Sequence, residues 1–286
     1  MTIVEVLKLS ADYLQKHGSD SSRLDAELLL AHALGLRRLD LYLKFDRSLT
    51  EPELSAYRGL VARRGKGEPV AYLVGHKEFM GMDFEVTPEV LVPNPDTEVL
   101  VQRAVAIARE AQGVCRVADV GTGSGCIAIA VAHYASNAEV WATDVSGEAL
   151  AVAARNVTRH GLEARVHLER GDLMQPLAGA FDLVCANLPY VAAGTPLPAE
   201  VTAQPARALY AEDGGAALID RFLDEAPARL ARGGRVLAEL DPSIVEAVSQ
   251  SVARNYSGYK VHRDVNGRER VLEAWSFIPT NSEPSA

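Results

Sequence analysis

The chain has 286 residues, 48% hydrophobic and 23% charged, a balance typical of a globular protein that buries a full core, and its length favours two domains. Its formal charge of −9 argues against direct binding to nucleic acid, because phosphate binding depends on Lys and Arg. No apolar run reaches the roughly 18 residues that a membrane span needs, and the start, MTIVEVLKLS, has an acid where a secretory signal has basic residues, so we expect a cytoplasmic protein without membrane contact.

The first 75 residues have a helical pattern. Apolar side chains recur at every third or fourth position in two segments: Val6, Leu9 and Tyr13, then Leu24, Leu28 and Ala31. Gly18 and Gly35 follow these segments as C-terminal caps do, and Thr50 and Glu53 have the spacing of a capping box. Residues 1–75 are therefore predicted to form a small helical-bundle domain.

A short linker separates this domain from the rest of the chain. Residues 77–86, KEFMGMDFEV, change to alternation of polar and apolar positions around a glycine, which predicts a β-hairpin. Pro93-Asn94-Pro95 then stiffens the backbone. We place the linker at residues 76–95.

From residue 96 the pattern alternates between helices and strands, which predicts an α/β domain with a mostly parallel sheet over residues 96–278. The helix candidates include 127–134 and 148–160. The strand candidates are 116–120, 139–144, 165–169, 181–186, 234–240, 259–263 and 271–275. Asn266-Gly267 between the last two indicates a hairpin, so the last strand is predicted to be antiparallel. The Ser- and Pro-rich tail, 279–286, is predicted to be disordered.

A glycine-rich loop follows the first strand of this domain. The segment DVGTGSG, 119–125, closes a strand and opens a helix, and its three glycines allow a sharp bend and close approach of a ligand to the backbone. A turn needed only for packing is the alternative. The loop differs from the dinucleotide-binding fingerprint, since Cys126 stands where that pattern has a third glycine.

Carboxylates follow the next two strands. Asp144 can accept hydrogen bonds from both ribose hydroxyls of a nucleoside, or it can simply cap the next helix. Asp172, in Gly171-Asp172-Leu173, can bind an adenine amino group, or it can belong to an ordinary turn. Because carboxyl ends of parallel strands meet at one edge of a sheet, these loops are predicted to form one ligand site.

The strand FDLVCA, 181–186, ends in Asn187-Leu188-Pro189-Tyr190. An amide NH2 group is a poor nucleophile and must be held in place and polarised. The Asn187 oxygen can accept one N–H, a carbonyl in Leu188-Pro189 can accept the other, and Tyr190 offers a flat face. An Asx-type turn before a proline is the alternative.

Cysteines and histidines give no support to a metal site. Cys115, Cys126 and Cys185 lie in or beside apolar runs without metal-type spacing, and no H-x-x-x-H pair occurs. We predict buried, reduced thiols and no metal.

Taken in order, DVGTGSG, Asp144, GDL and NLPY resemble a class I S-adenosylmethionine-dependent methyltransferase over about residues 97–276. The resemblance implies a seven-stranded, mostly parallel sheet with an antiparallel last strand, and S-adenosylmethionine as cofactor. It implies a catalytic tetrapeptide, Asn187, Leu188, Pro189 and Tyr190. The implied cofactor-binding residues are Asp119, Gly121, Thr122, Gly123, Ser124, Gly125, Asp144, Asp172, Leu173 and Asn187.

Four further segments extend the resemblance to nearly the whole chain. They are 22–35 (SRLDAELLLAHALG), 63–75 (RRGKGEPVAYLVG), 77–86 (KEFMGMDFEV) and 90–98 (VLVPNPDTE). These are similar to the HemK/PrmC family of protein-(glutamine-N5) methyltransferases, which modify the glutamine in the Gly-Gly-Gln loop of peptide chain release factors. The resemblance implies a helical domain that helps to dock the release factor; we expect a monomer.

Three positions depart from the family pattern. Leu188 replaces the first proline of N-P-P-Y, Asn94 replaces the arginine of P-R-P, and Gln204 replaces the glutamate of a later E-P. The change from proline to leucine at position 188 is a mild departure, because a residue before proline is already biased to extended backbone angles. The lost arginine charge removes any contact that it made with the cofactor.

Other activities stay open at this point. An adenine-N6 methyltransferase acting on RNA or DNA is compatible with NLPY, although the acidic charge opposes it. A glutamine methyltransferase acting on a ribosomal protein is a second alternative. A binding protein without catalysis is a third, motivated by Asn94 and Leu188.

Overall fold

The computed structural model describes residues 1–211 and 216–275, so the predicted tail 279–286 lies outside the described residues. The chain divides into two compact units. The first, the helical unit, contains Met1–His76 and Pro196–Gln204; the second, the sheet unit, contains Lys77–Thr195 and the chain from Pro205 onward. The sequence did not predict that 196–204 packs with the helical unit.

The helices are α1 (Ile3–Lys16), α2 (Ser22–Leu34), α3 (Arg38–Leu43), α4 (Glu51–Arg64), α5 (Val70–Val74), α6 (Glu98–Glu110), α7 (Cys126–Tyr134), α8 (Gly147–Arg159), α9 (Ala199–Thr202), α10 (Ala206–Leu209), α11 (Ala217–Glu225) and α12 (Val245–Asn255). The strands are β1 (His76–Phe79), β2 (Met82–Glu85), β3 (Cys115–Val120), β4 (Ala138–Asp144), β5 (Val166–Arg170), β6 (Phe181–Ala186), β7 (Val191–Ala192), β8 (Tyr210–Ala211), β9 (Leu230–Glu239), β10 (Gly258–Arg263) and β11 (Glu269–Trp275). Short 3-10 turns occur at Pro95–Thr97, Ala226–Arg229 and Pro242–Ile244.

The helical unit packs around a core supplied by α1, α2 and α4. The predicted caps are confirmed: Thr50 and Glu53 form a capping box, and Gly35 ends α2 in the left-handed region. Of the periodic apolar residues, Val6 and Ala31 are buried. Leu9, Tyr13, Leu24 and Leu28 are exposed, whereas neighbouring apolar residues are buried: Ile3, Leu7, Leu14, Leu29 and Leu30. Both helices carry more apolar side chains than one face holds, so spacing alone does not select the buried stripe.

A buried arginine ties the segment 196–204 to the rest of the helical unit. Arg64, at the end of α4, is 7% exposed and pairs with Asp25 at 2.7 Å and with Glu200. Gln204, the departure from the family's E-P, donates from Nε2 to the Glu200 carbonyl at 3.3 Å.

The predicted hairpin is confirmed as β1 and β2. Its turn residues, Met80 and Gly81, both have positive φ, which matches the twist of a two-residue hairpin loop. Asn156 of α8 fixes the second strand, accepting from the Glu85 N–H at 2.7 Å and donating to the Glu85 carbonyl at 3.0 Å. The same Nδ2 also donates to the Ser124 carbonyl at 2.9 Å, so the hairpin and the glycine-rich loop share one anchor.

The main sheet has seven strands in the order β10-β11-β9-β6-β3-β4-β5, and β11 alone runs antiparallel to its neighbours. The predicted fold class is therefore confirmed, with the hairpin at Asn266-Gly267. Buried side chains cover both faces of the sheet, as parallel strands require. The strand order reverses between β3 and β6, and open α/β sheets bind ligands at the carboxyl ends beside such a point.

Cys115, Cys126 and Cys185 are buried and unpaired, as predicted. Within residues 1–211 and 216–275, no helix is long and apolar enough to cross a bilayer.

Candidate active site

The loops after β3, β4, β5 and β6 line one cleft in the sheet unit. It holds about 1050 Å³ of empty space, part of it open to solvent at the mouth. Residues 89–94 and Thr97 line another side, and Arg207, Ala208 and Leu218 complete it.

The glycine-rich loop bends tightly against β4 and β6. Gly121 and Gly123 have φ of 75° and 54°, and the Gly121 N–H donates to the Thr143 carbonyl at 2.9 Å. A Cβ at Gly121 would lie 2.9 Å from Leu188 Cδ2, so glycine is needed there for contact with the tetrapeptide. A Cβ at Gly123 would have no heavy atom within 4 Å, so Gly123 leaves room for a ligand.

Asp119 lies behind this loop and does not line the cleft. It is fully buried; its Oδ2 accepts from Thr122 Oγ1 at 2.6 Å and from the Ala128 N–H at 3.1 Å. Burial raises its pKa to about 7, against these hydrogen bonds. Asp119 holds the loop in shape from behind, and Gly125, packed on Ile129 and Ala153, likewise lies off the lining.

Asp144, at the end of β4, lines the cleft with both carboxylate oxygens held by backbone. Oδ2 accepts from the Gly123 N–H and Oδ1 from the Ser146 N–H, each at 2.9 Å. Each oxygen keeps acceptor capacity, because a carboxylate has about four lone-pair sites. The carboxylate is therefore fixed in position and still able to accept from hydroxyl groups.

Asp172 and Leu173 both line the cleft after β5. Leu173 has φ of 46°, rare for a residue with a branched side chain, and the buried Thr143 hydroxyl donates to its carbonyl at 2.8 Å. Strain of this kind persists where the surroundings enforce it, often at ligand sites. Asp172 pairs with Arg221 of α11 at 2.6 Å, which leaves its second oxygen for a ligand.

Asn187 is the polar group of the tetrapeptide that lines the cleft, together with Leu188 and Pro189. Its Nδ2 donates to Thr97 Oγ1 at 3.1 Å, so Oδ1 is the atom that can accept from a substrate N–H. Tyr190 is half-buried and off the cleft lining; burial raises the pKa of its phenol, which stays neutral at physiological pH.

Several residues of the site were not predicted. Thr97 lies inside the segment VPNPDTE, to which the sequence assigned no role for it. Glu239, an acid in the apolar strand RVLAEL, is buried off the cleft lining, next to the residue that pairs with Ala186. Arg207 carries the one Lys or Arg side chain among the described lining residues, and no pattern indicated it. Asn94 lines the cleft and caps the 3-10 turn, accepting from the Asp96 N–H at 3.1 Å.

Two family profiles match separate parts of the chain. The family profile of the PrmC N-terminal domain matches residues 5–75, and that of the methyltransferase small domain matches residues 95–238. The chain is 40% identical over 282 residues to the release factor glutamine methyltransferase of Rhodopirellula baltica, with 95% of each chain covered. It is 42% identical over 278 residues to that of Geobacter sulfurreducens, again with 95% of each covered.

Solved structures share the fold at low identity. A methyltransferase from Pyrococcus furiosus gives a TM-score of 0.54 at 22% identity, covering 70% of this chain and 91% of that one. The hMettl16 catalytic domain in complex with MAT2A 3'UTR hairpin 1 gives a TM-score of 0.56 at 17% sequence identity, and the match covers 83% of this chain and 84% of that one. These similarities support the methyltransferase fold.

Proposed function

The chain belongs to the release factor glutamine methyltransferase family, and from this premise we propose that it methylates the side-chain amide nitrogen of the glutamine in the Gly-Gly-Gln loop of a release factor. The proposal depends most on one observation. Asn187 lines the cleft with its NH2 group bound to Thr97, which leaves its oxygen to hold the NH2 group of an incoming amide.

The methyl donor proposed is S-adenosylmethionine, and the residues present fit it. Gly123 leaves open space beside the loop, and the Asp144 carboxylate is fixed with acceptor capacity for hydroxyl groups. Asp172 and Leu173 line the part of the cleft that follows β5, where an adenine would be held. When bound, the donor supplies a methyl group activated by a sulfonium.

The chain's own contribution is to hold and polarise the amide. The Asn187 oxygen accepts one N–H of the substrate, and a carbonyl in the extended Leu188-Pro189 segment accepts the other, which fixes the nitrogen lone pair in direction. Hydrogen bonding at both N–H groups also raises electron density on the nitrogen. The neutral, half-buried Tyr190 packs behind this segment without taking the proton, which leaves to solvent after transfer.

The test is methyl transfer from labelled donor to a purified release factor. We expect label on the wild-type factor and none on a factor whose Gly-Gly-Gln glutamine is replaced by alanine. Label of equal amount on both factors would contradict the proposal. Parallel reactions with ribosomal protein and with RNA test the other two acceptors, and calorimetry with the donor alone tests a binding protein without catalysis.

A further inference from the structure

Glu239 is a buried carboxyl directly behind the tetrapeptide. It ends β9, its residue is 2% exposed, and the neighbouring Ala238 pairs in parallel register with Ala186, one residue before Asn187. The side chains of Thr97 and Asn187 lie close enough to its carboxylate to interact with it, and they hydrogen-bond to each other, from Asn187 Nδ2 to Thr97 Oγ1 at 3.1 Å. Its Oε2 is fully buried and has no hydrogen-bond partner in the described part of the chain.

We propose that Glu239 is a positioning residue: its buried carboxylate, beside both Asn187 and Thr97, fixes which end of the Asn187 amide faces the substrate. This inference rests on the proposed function, because it explains how the oxygen of Asn187 is presented to an incoming NH2 group.

The orientation of the Asn187 amide follows from which neighbouring groups donate and which accept hydrogen bonds. An Asn amide has an acceptor end and a donor end of nearly equal size, so its orientation depends on its partners. Thr97 Oγ1 already accepts from Asn187 Nδ2, so its single hydrogen must be donated elsewhere. An ionised carboxylate can only accept. Ionised Glu239 therefore attracts the Thr97 hydrogen and the NH2 end of Asn187, which leaves the Asn187 oxygen to face the substrate.

Protonation of Glu239 removes this preference for one orientation of the Asn187 amide. A neutral Glu239 can donate to Thr97, whose own hydrogen is then free to turn towards Asn187 and to favour the flipped amide. The flipped amide presents Nδ2, and two NH2 groups cannot hydrogen-bond to one another. The substrate would then lose the acceptor that holds it.

The groups around Glu239 allow its carboxylate to take up a proton near neutral pH. Burial, with the nearby Asp96, raises the pKa of Glu239 to about 7, while the neighbouring Thr97, Arg270 of β11 and Asn187 oppose the rise. Arg270 is shared, since it pairs with Asp96 at 2.9 Å and with Asp264 at 3.3 Å. The other titratable neighbours, Tyr190 and Cys126 of α7, have raised pKa values and remain neutral.

The experiment compares transfer to the release factor by wild type, Glu239→Gln, Thr97→Val and Thr97→Ser between pH 6 and 8.5. In wild type we expect kcat to fall as pH falls through about 7. In Glu239→Gln we expect kcat to drop up to about 100-fold, with that pH dependence lost and the donor Kd within two-fold of wild type. Thr97→Val leaves Glu239 beside Asn187, so we expect a smaller loss of kcat and a pH dependence that persists. Thr97→Ser keeps the hydroxyl and should retain most activity. Glu246→Gln, an exposed site on α12, is the matched control.

The outcomes separate the two proposals. A wild type that transfers no methyl to the release factor refutes the proposed function and this inference with it. An active wild type, with full kcat and an unchanged pH profile in Glu239→Gln, overturns the inference alone. Where Glu239→Gln does not fold, the wild-type pH profile of kcat is the test, and a flat profile between pH 6 and 8.5 overturns the inference.

Discussion

Asn187 combines a fixed donor end with a free acceptor end. Its Nδ2 donates to Thr97 Oγ1 at 3.1 Å, and Thr97 is itself held by an N–H donated to the Asn94 carbonyl at 3.0 Å. The segment VPNPDTE thus acts as a support for the reacting centre, although it precedes Asn187 by about 90 residues in the chain. A support of this kind keeps the oxygen in place before a substrate arrives.

Asn187→Ala removes the acceptor that holds the substrate amide. We expect transfer to fall by at least about 100-fold, the loss found when one donor or acceptor is removed from a preorganised site. The donor Kd should change by less than about three-fold, because Asp144 and the glycine-rich loop are untouched. Single-turnover kinetics and calorimetry measure the two quantities. Full activity of the variant would refute the role of Asn187.

Leu188, the departure from the family's N-P-P-Y, contacts the glycine-rich loop directly. A Cβ built at Gly121 would lie 2.9 Å from Leu188 Cδ2, so the glycine-rich loop and the tetrapeptide pack directly against each other. The leucine is 5% exposed, and its position before Pro189 keeps the backbone extended. A side chain at this position therefore fills space that Gly121 leaves.

Gly121→Ala should disturb this element through Leu188. An alanine at positive φ costs about 1 kcal/mol in stability, and the new methyl also displaces the leucine, so we expect lower transfer activity. Gly161→Ala is the control, with φ of 66° and open space around it. A second change, Leu188→Ala, should restore part of the activity to Gly121→Ala. Equal activity in all variants would show that the contact is not needed.

The helical unit depends on one buried ion pair that brings two distant segments together. Arg64 and Asp25 are each about 6–7% exposed at the side chain, and Arg64 also binds Glu200 from the segment 196–204. Charge patterns in the sequence did not indicate these contacts, because Arg64 lies 39 residues from Asp25 and 136 residues from Glu200. Helix periodicity and caps are local signals, whereas such a contact is visible only in three dimensions.

Arg64→Leu leaves the buried Asp25 carboxylate without its cation, with the hydroxyls of Ser19 and Ser21 as its remaining side-chain donors. We expect the free energy of unfolding to fall by about 3 to 5 kcal/mol, the usual cost of an unpaired buried charge. The neighbouring Arg63→Leu breaks an exposed pair with Glu68 and should cost less than about 1 kcal/mol. Urea unfolding followed by circular dichroism compares them. Equal losses in both variants would show that burial does not matter to this pair.

Across the whole molecule, the parts predictable from sequence are those with local signals. Strand and helix alternation gave the fold class, and Asn266-Gly267 gave the antiparallel last strand. The loops that the sequence predicted to form one ligand site supply many of the residues that line the cleft, because parallel strands bring their carboxyl ends together. Thr97, Glu239 and Arg207 escaped prediction because each joins the site from a different element, and only their packing reveals a role.

The buried carboxyls also make stability depend on pH in two opposite directions. Asp119 and Glu239 have pKa values raised to about 7, so between about pH 4.5 and 7 the folded state binds protons that the unfolded state has lost. Stability therefore falls as pH rises through this range, by up to about 1.4 kcal/mol per pH unit for each group. Glu273, held by Arg103, Arg235 and His262, has a pKa lowered to about 2, so its contribution is lost as pH falls below 4.5.

We therefore expect the free energy of unfolding to be greatest near pH 4.5 to 5 for these three groups and to decrease towards pH 7. Asp119→Asn isolates one of them, because a neutral side chain keeps an oxygen for Thr122 and the Ala128 N–H but has no proton to lose. The decrease between pH 5 and 7.5 should be smaller in this variant than in wild type, as measured by urea unfolding at both pH values. Glu148→Gln, an exposed site on α8, should leave the decrease unchanged. A wild-type stability that rises from pH 5 to 7.5, with the same slope in Asp119→Asn, would show that Asp119 is ionised at little cost in the folded state.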